Sequence, residues 1–388
     1  MPASLLVRRI GRLTTWQQPV LTDAALLVRE GRVEWYGPDD DLPAGIGDVA
    51  ELDAGGAAVI PGLVDCHTHL VWAGSRRDDF AARIAGGDYR PGGIASTVAA
   101  TRAASYDELR ALAQARADRA LAGGTTTMEV KSGYGLSPDD ELRLLDVAAS
   151  IVGPRVTTTY LGAHVVPAGR DRGDYVDEVV QTLPDARRRG AKWCDVFCDE
   201  GAFTVEEARR ILTAAQAHGF GLRIHAEQLT HTGAARLAAE VCAASADHLD
   251  HANPEDAVAL RDAGVVTVVV PVCSLYTRSA NWGHARLLRD AGCTVAIATD
   301  CNPGTAWCES MPYAMQLACL AMGLTVEEVL RAATLGGAAA LRQPDVGHLG
   351  VGAVGDLVVV DGEHETDLIA HVGTNGIIRT VRGGESSG

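Results

Sequence analysis

The chain is short of positive charge. Its 34 Lys and Arg face 50 Asp and Glu, a formal charge of -16. Such a surface repels phosphate backbones and anionic lipid alike, so neither nucleic acid nor membrane is expected as a partner. A small anion remains admissible where one arginine concentrates positive charge. Long apolar runs are missing too. The longest, VVTVVVPVC at 265–273, falls far below the ~20 residues that span a bilayer. The opening MPASLLVRRIGRLTTW lacks the apolar core of a secretory signal, and a cytoplasmic protein is expected. Nine cysteines, an odd number without a CxxC pair, argue against a disulfide framework and for small buried side chains. No fixed-period repeat or low-complexity tract is visible.

What is present is enough apolar residue, 47% of 388, to bury one large domain or two. Both ends read as β-structure. ALLVREGRVEWYG (25–37) predicts a hairpin turning at Glu30-Gly31, and VGDLVVVDG (354–362) with GIIRTVRGG (376–384) predicts further short strands. Between them, eight β-rich runs alternate with Ala/Leu/Arg-rich helical stretches. The runs are AVIPGLVDCHTH, TTTMEVKSG, RVTTTYLGAH, KWCDVFCDEG, GLRIHAEQ, SADHLDH, VVTVVVPVC and CTVAIATDCNPG. Among the helical stretches, YDELRALAQARADRALAGG, PDDELRLLDVAASIVG, TVEEARRILTAAQAHG and NPEDAVALRDAG each end near a glycine. This alternation predicts an α/β fold, a (β/α)8 TIM barrel over 58–343, with a doubly wound open sheet as the alternative. Residues 1–57 and 344–388 are expected to form a small β-sandwich domain together.

Polar residues fall at the ends of the runs. The first finishes on His67 and His69, the second on Lys131, the third on His164 and the fourth on Asp199 and Glu200. The fifth carries His225, the sixth His248 and the eighth Asp300. Barrel chemistry sits at the C-terminal ends of the strands, so this placement gathers them at one mouth. Strand alternation aims His67 and His69 the same way. With His225 and Asp300 they make three imidazoles and a carboxylate, a set suited to one divalent ion, Zn2+ or Fe2+, with room for water. Taken singly, His225 reads more readily as a hydrogen-bonded core histidine. SGYG (132–135) and NPGT (302–305) place flexible turns beside Tyr134 and Thr305, where backbone can approach a ligand closely or simply make ordinary barrel loops.

PGLVDCHTHL, with the later histidine and aspartate, resembles the metal-dependent amidohydrolase superfamily. AGSRRDDF, VKSGYGLS, LGAH, DVFCDEGAFT, IHAEQLT, SADHLDH and TDCNPGT together resemble its imidazolonepropionase family. The resemblance implies the barrel with its terminal sheet domain, a homodimer, and hydrolysis of 4-imidazolone-5-propanoate, a small anion, to N-formimidoyl-L-glutamate in histidine degradation. It also implies His67, His69, His225 and Asp300 as ligands of one metal. Arg76 would grip the substrate carboxylate, with Tyr134, His164, Gln228, Asn302, Gly304, Thr305 and Tyr89 as further substrate contacts. Asp300 and His248 are expected to move protons and steady the oxyanion, in either division of labour. Two features depart from the family pattern. Gln228 stands where some members have glutamate, and an amide cannot serve as a general base. RPGGIAST is less glycine-rich than the usual loop. Lys131 raises the alternative of a carbamylated, metal-bridging lysine, although the SGYG context favours a structural or orienting one. Three other readings suit the same metal site: another cyclic-amide hydrolase, an amidine deaminase, or a scaffold that has lost its chemistry.

Overall fold

The run AVIPGLVDCHTH, expected as the first barrel strand, is divided at Gly62 between two sheets. In the computed structural model, which describes residues 4–86 and 93–387, the chain begins with β1 (Leu5–Leu13), β2 (Leu21–Arg29), β3 (Arg32–Pro38), β4 (Ala50–Asp53) and β5 (Ala58–Pro61). It continues through β6 (Leu63–Asp65), β7 (Thr125–Lys131), β8 (Arg155–Ala163), β9 (Trp193–Cys198), β10 (Gly221–Ala226), β11 (Ser245–His248), β12 (Val266–Val269) and β13 (Val295–Ile297). It ends with β14 (Leu357–Val360), β15 (Ile377–Arg382) and β16 (Glu385–Ser387). β5 pairs with β1 and β14, so the terminal sheet takes the chain through residue 61, past the limit of 57 read from the sequence. The division occurs at Gly62 because a Cβ there would lie 2.2 Å from Thr126 Oγ1, and no other residue lets the chain pass so close.

The eight runs read from the sequence contain β6 to β13, which lie in sequential order in one parallel sheet. The seam between first and last strand closes just beyond their ends. Asp300 N donates to His67 O at 3.0 Å and His69 N to Cys301 O at 2.9 Å, forming the parallel bridge Thr68–Cys301. Asp65 reinforces the seam by accepting from Thr299 N at 3.1 Å and Thr299 Oγ1 at 2.6 Å. Gly336 and Gly337 press against the same seam, because a Cβ on either would fall 2.2 Å from Val295 O or 2.4 Å from Val64 O. The four helical stretches are observed at Tyr106–Ala122, Pro138–Ala149, Val205–Ala217 and Pro254–Asp262. Side chains of Ser105, Ser137, Thr204 and Asn253 cap their first turns, each worth about 1 kcal/mol.

The terminal strands form one mixed sheet, ordered β16-β15-β14-β5-β1-β2-β3 with β4 beside β1. It curls over a separate core in which Val7, Leu26 and Val28 meet Val59, Leu357 and Val359. The expected hairpin turns at Glu30 and Gly31, both in the left-handed region at φ 50° and 79°, as the twist of a two-residue loop requires. Trp16 Nε1 donates to Thr334 Oγ1 at 3.0 Å and Arg155 pairs with Asp356 at 3.1 Å, tying this sheet to the barrel.

Candidate metal centre and active site

Seam closure brings the most distant candidate ligands together. His67 and His69 follow β6, Asp300 follows β13, and the backbone bonds across the seam set them side by side. His67 Nε2 lies 3.3 Å from His69 Nε2, and Asp300 Oδ1 lies 3.4 Å from each. His225, on β10, places its ring centroid 4.5 Å from that of His67. Ligand atoms of His67, His69 and His225 fall within 4.8 Å of one another, as do those of His67, His248 and Asp300.

The hydrogen bonds decide which atoms are available. His67 Nδ1 donates to Asp247 Oδ2 at 2.6 Å, which turns the lone pair of Nε2 toward the centre. His225 Nδ1 faces Asp195 Oδ2 at 3.0 Å. Burial pushes the pKa values of His67 and His69 well below the ordinary imidazole value, which favours the neutral rings that can offer lone pairs to an ion. Burial raises the Asp300 carboxyl to about 7, against the pull of His225. Neutral imidazole nitrogens and a carboxylate oxygen aimed at one buried point repel each other unless a cation lies between them. This donor set therefore fits a single divalent ion. Asp300 and His248 hold positive φ, 53° and 79°, a strain that surrounding structure sustains at functional sites.

Arg76, Tyr134, His164, Gln228, Asn302, Gly304 and Thr305 line one cleft with His69, His225, His248 and Asp300. Tyr89 lies outside the described residues. Arg76 is buried and its Nε is held by Asp79. A Cβ on Gly93 would lie 2.2 Å from its Nη2 and one on Gly304 3.2 Å from its Nη1, so two glycines make room for the guanidinium fork. Arg83, on the helix that follows, donates to Gly304 O at 2.7 Å and binds that helix to the 302–305 turn. His164 stacks on His69 with centroids 5.4 Å apart, and its Nδ1 donates to Gly133 O at 2.9 Å. Burial lowers its pKa to about 4. His248 is buried with neither ring nitrogen hydrogen-bonded, and that leaves both for a ligand.

Asn302, Asp199 and Lys131 are each held by bonds within the protein. The Asn302 side chain donates to Asp300 O and Thr305 Oγ1 and accepts from the amides of Gly304 and Thr305. It is committed to shaping its own turn. Asp199 accepts from the amides of Gln228, Leu229 and Thr230 and holds the loop after β10, while Glu200 is exposed. Lys131 lies beneath the metal centre, fully buried, with Nζ 2.8 Å from Glu129 and 2.7 Å from Asp195. Burial opposes its ammonium form, but Asp195 and Glu129 outweigh that and raise its pKa, and carbamylation needs the free amine.

Sequence reading missed Glu129, Asp195, Arg223 and Asp247, and the apolar walls Ile94, Val165 and Phe197. A signal existed. Glu129 and Lys131, then Arg223 and His225, are charged or polar at alternate positions of barrel strands, which point to one side.

The loop bearing Tyr134 depends on a single side chain. Glu141 accepts from the amides of Gly133, Gly135 and Leu136, each at 2.7 Å. Glu141→Ala leaves three buried donors without a partner at about 1–3 kcal/mol each. Denaturant unfolding is expected to show a loss of at least about 3 kcal/mol, and a loss under about 1 kcal/mol would contradict this account.

The description "Amidohydrolase family" matches residues 58–386. A Mycolicibacterium smegmatis protein named imidazolonepropionase is 44% identical, over 98% of this chain and 97% of its own. One of the same name from Salinispora arenicola is 46% identical, over 98% and 97%. Among solved structures, an atrazine chlorohydrolase from Arthrobacter aurescens complexed with zinc superposes with a TM-score of 0.74 at 21% identity, over 98% and 94% of the two chains. The ochratoxinase of A. niger does so with a TM-score of 0.72 at 19% identity, over 98% and 95%. These two likenesses concern the fold alone.

Proposed function

Because this chain belongs to the amidohydrolase family and, within it, to the imidazolonepropionases, we propose that it opens the ring of 4-imidazolone-5-propanoate to give N-formimidoyl-L-glutamate, using His67, His69, His225 and Asp300 around one ion of zinc or iron. It is a hydrolase acting on a C–N bond of a cyclic amide. The observation that carries the substrate assignment is Arg76, buried in the wall of the cleft that holds the ligand set. A deaminase of neutral bases has no use for a cation there, whereas a propionate does.

When bound, the ion supplies the Lewis acidity that makes water nucleophilic at neutral pH. The remaining work falls to side chains. The Arg76 fork takes the propionate in paired, charge-assisted hydrogen bonds and so fixes the ring in the cleft. Gln228 and Tyr134 contact the ring, and His164 orients its carbonyl. Asp300 accepts the water proton as the carbonyl is attacked and returns it to the leaving ring nitrogen. His248, with no internal partner for either nitrogen, steadies the oxyanion. Asn302 acts through the turn that presents Gly304 and Thr305. The working form is a homodimer of the 40.6 kDa chain in the cytoplasm.

The test follows the ring chromophore of freshly generated imidazolonepropionate, using protein whose solution mass is checked for twice that of the chain. Rapid loss with the wild type and none with His67→Ala is expected. Persistence of the chromophore with metal-loaded wild type would reject the substrate.

A further inference from the structure

Beneath the metal centre lies a closed set of five charged side chains, each fully buried: Glu129, Lys131, Asp195, Arg223 and Asp247. Two of its carboxylates touch histidines of the ligand set. Asp247 Oδ2 is 2.6 Å from His67 Nδ1, and Asp195 Oδ2 is 3.0 Å from His225 Nδ1. The same two oxygens face one ammonium. Lys131 Nζ is 2.7 Å from Asp195 Oδ2 and 3.7 Å from Asp247 Oδ2, and Glu129 Oε1 anchors it from behind at 2.8 Å. Arg223 Nη2 supports Asp247 at 3.3 Å, but no ion pair joins it to Asp195. Among the described residues, the link between the two histidine-bearing carboxylates is Lys131.

The chain has two lysines, Lys131 and Lys192, among 34 basic residues, so arginine supplies nearly every other positive charge. A compact ammonium with three donors can face three carboxylates at once.

We propose that Lys131 is a positioning residue that aligns two metal-ligating histidines at once, His225 through Asp195 and His67 through Asp247, and thereby sets the affinity of the centre for its divalent ion. This rests on the metal centre assigned above. Each carboxylate can hold its histidine at the right tautomer and angle only if it is itself held, and outer partners of metal ligands are worth roughly 10–100-fold in affinity.

The sign of the effect separates positioning from simple charge. Deleting a buried positive charge near a cation site tightens cation binding by Coulomb's law alone, whereas loss of alignment weakens it. The experiment measures Zn2+ affinity by competition with a chromophoric chelator, without substrate, in wild type and Lys131→Met. A 10- to 100-fold weakening, on the order expected for an outer partner, is the predicted result. Unchanged or tighter Zn2+ binding in folded variant, even with a lowered melting temperature, would overturn the proposal and leave Lys131 a stabilising residue. Should Lys131→Met fail to fold, the double variant Lys131→Met/Asp195→Asn removes one charge of each sign and keeps the net buried charge. It is expected to bind at least about tenfold more weakly than Asp195→Asn alone, in which Lys131 still holds Asp247, and equal affinity of these two variants would equally overturn the proposal. A wild type that binds no divalent ion would instead remove the metal centre itself.

Discussion

Asp300→Asn is expected to lower kcat by about 10³- to 10⁴-fold while the protein stays folded. The substitution keeps the shape of the side chain and one carbonyl oxygen beside His67 and His69, the atoms now 3.4 Å away. It removes the ability to carry a proton, because an amide does not titrate. Both halves of the reaction suffer, since one group is assigned to take the proton from water and to return it to the ring nitrogen. Metal analysis must accompany the kinetics. A variant that retains more than half of its metal yet loses kcat isolates the proton transfer. A kcat within tenfold of wild type would assign the proton to another group, and His248→Asn would then show whether that group is His248.

The second large effect is expected at the other end of the substrate. Arg76→Met should raise KM and lower kcat/KM by roughly 10²- to 10⁴-fold, because two charge-assisted hydrogen bonds at about 1.5–3 kcal/mol each are lost. The site is built for this fork. Asp79 holds Nε, and Gly93 and Gly304 leave the two Nη groups free of side-chain crowding. A cyclic amide without the carboxylate supplies the control. It should be a poor substrate for wild type and react at the same rate with the variant. An equal loss on both compounds would mean that Arg76 supports the cleft and does not read the carboxylate.

Much of the architecture was legible because its signals are local. Turn residues at Glu30-Gly31 dictated a hairpin, glycines closed helical stretches such as those ending at 219 and 264, and strand alternation put His67 and His69 on one side. The division of the first run at Gly62 was not legible. Both halves of AVIPGLVDC are apolar and β-rich, and only the proximity of Thr126 makes a side chain impossible between them. Asn302 was expected as a substrate contact from the family resemblance, and it does line the cleft. The fold shows that its amide is consumed by the 302–305 turn.

The sequence by itself determined the order of strands and helices and the residue types gathered at the strand ends, whereas the reading of Arg76 came from the family resemblance. Order and residue types depend on spacing of a few residues and on side-chain chemistry. Tertiary structure decided which of the charged strand-end residues meet. Closing the seam carries His67 to Asp300, and burying Lys131 between Asp195 and Asp247 turns three distant letters into one electrostatic unit. The physical reason is that a buried charge is tolerated only with a partner, and the partner's identity is set by strand neighbours far apart in the chain.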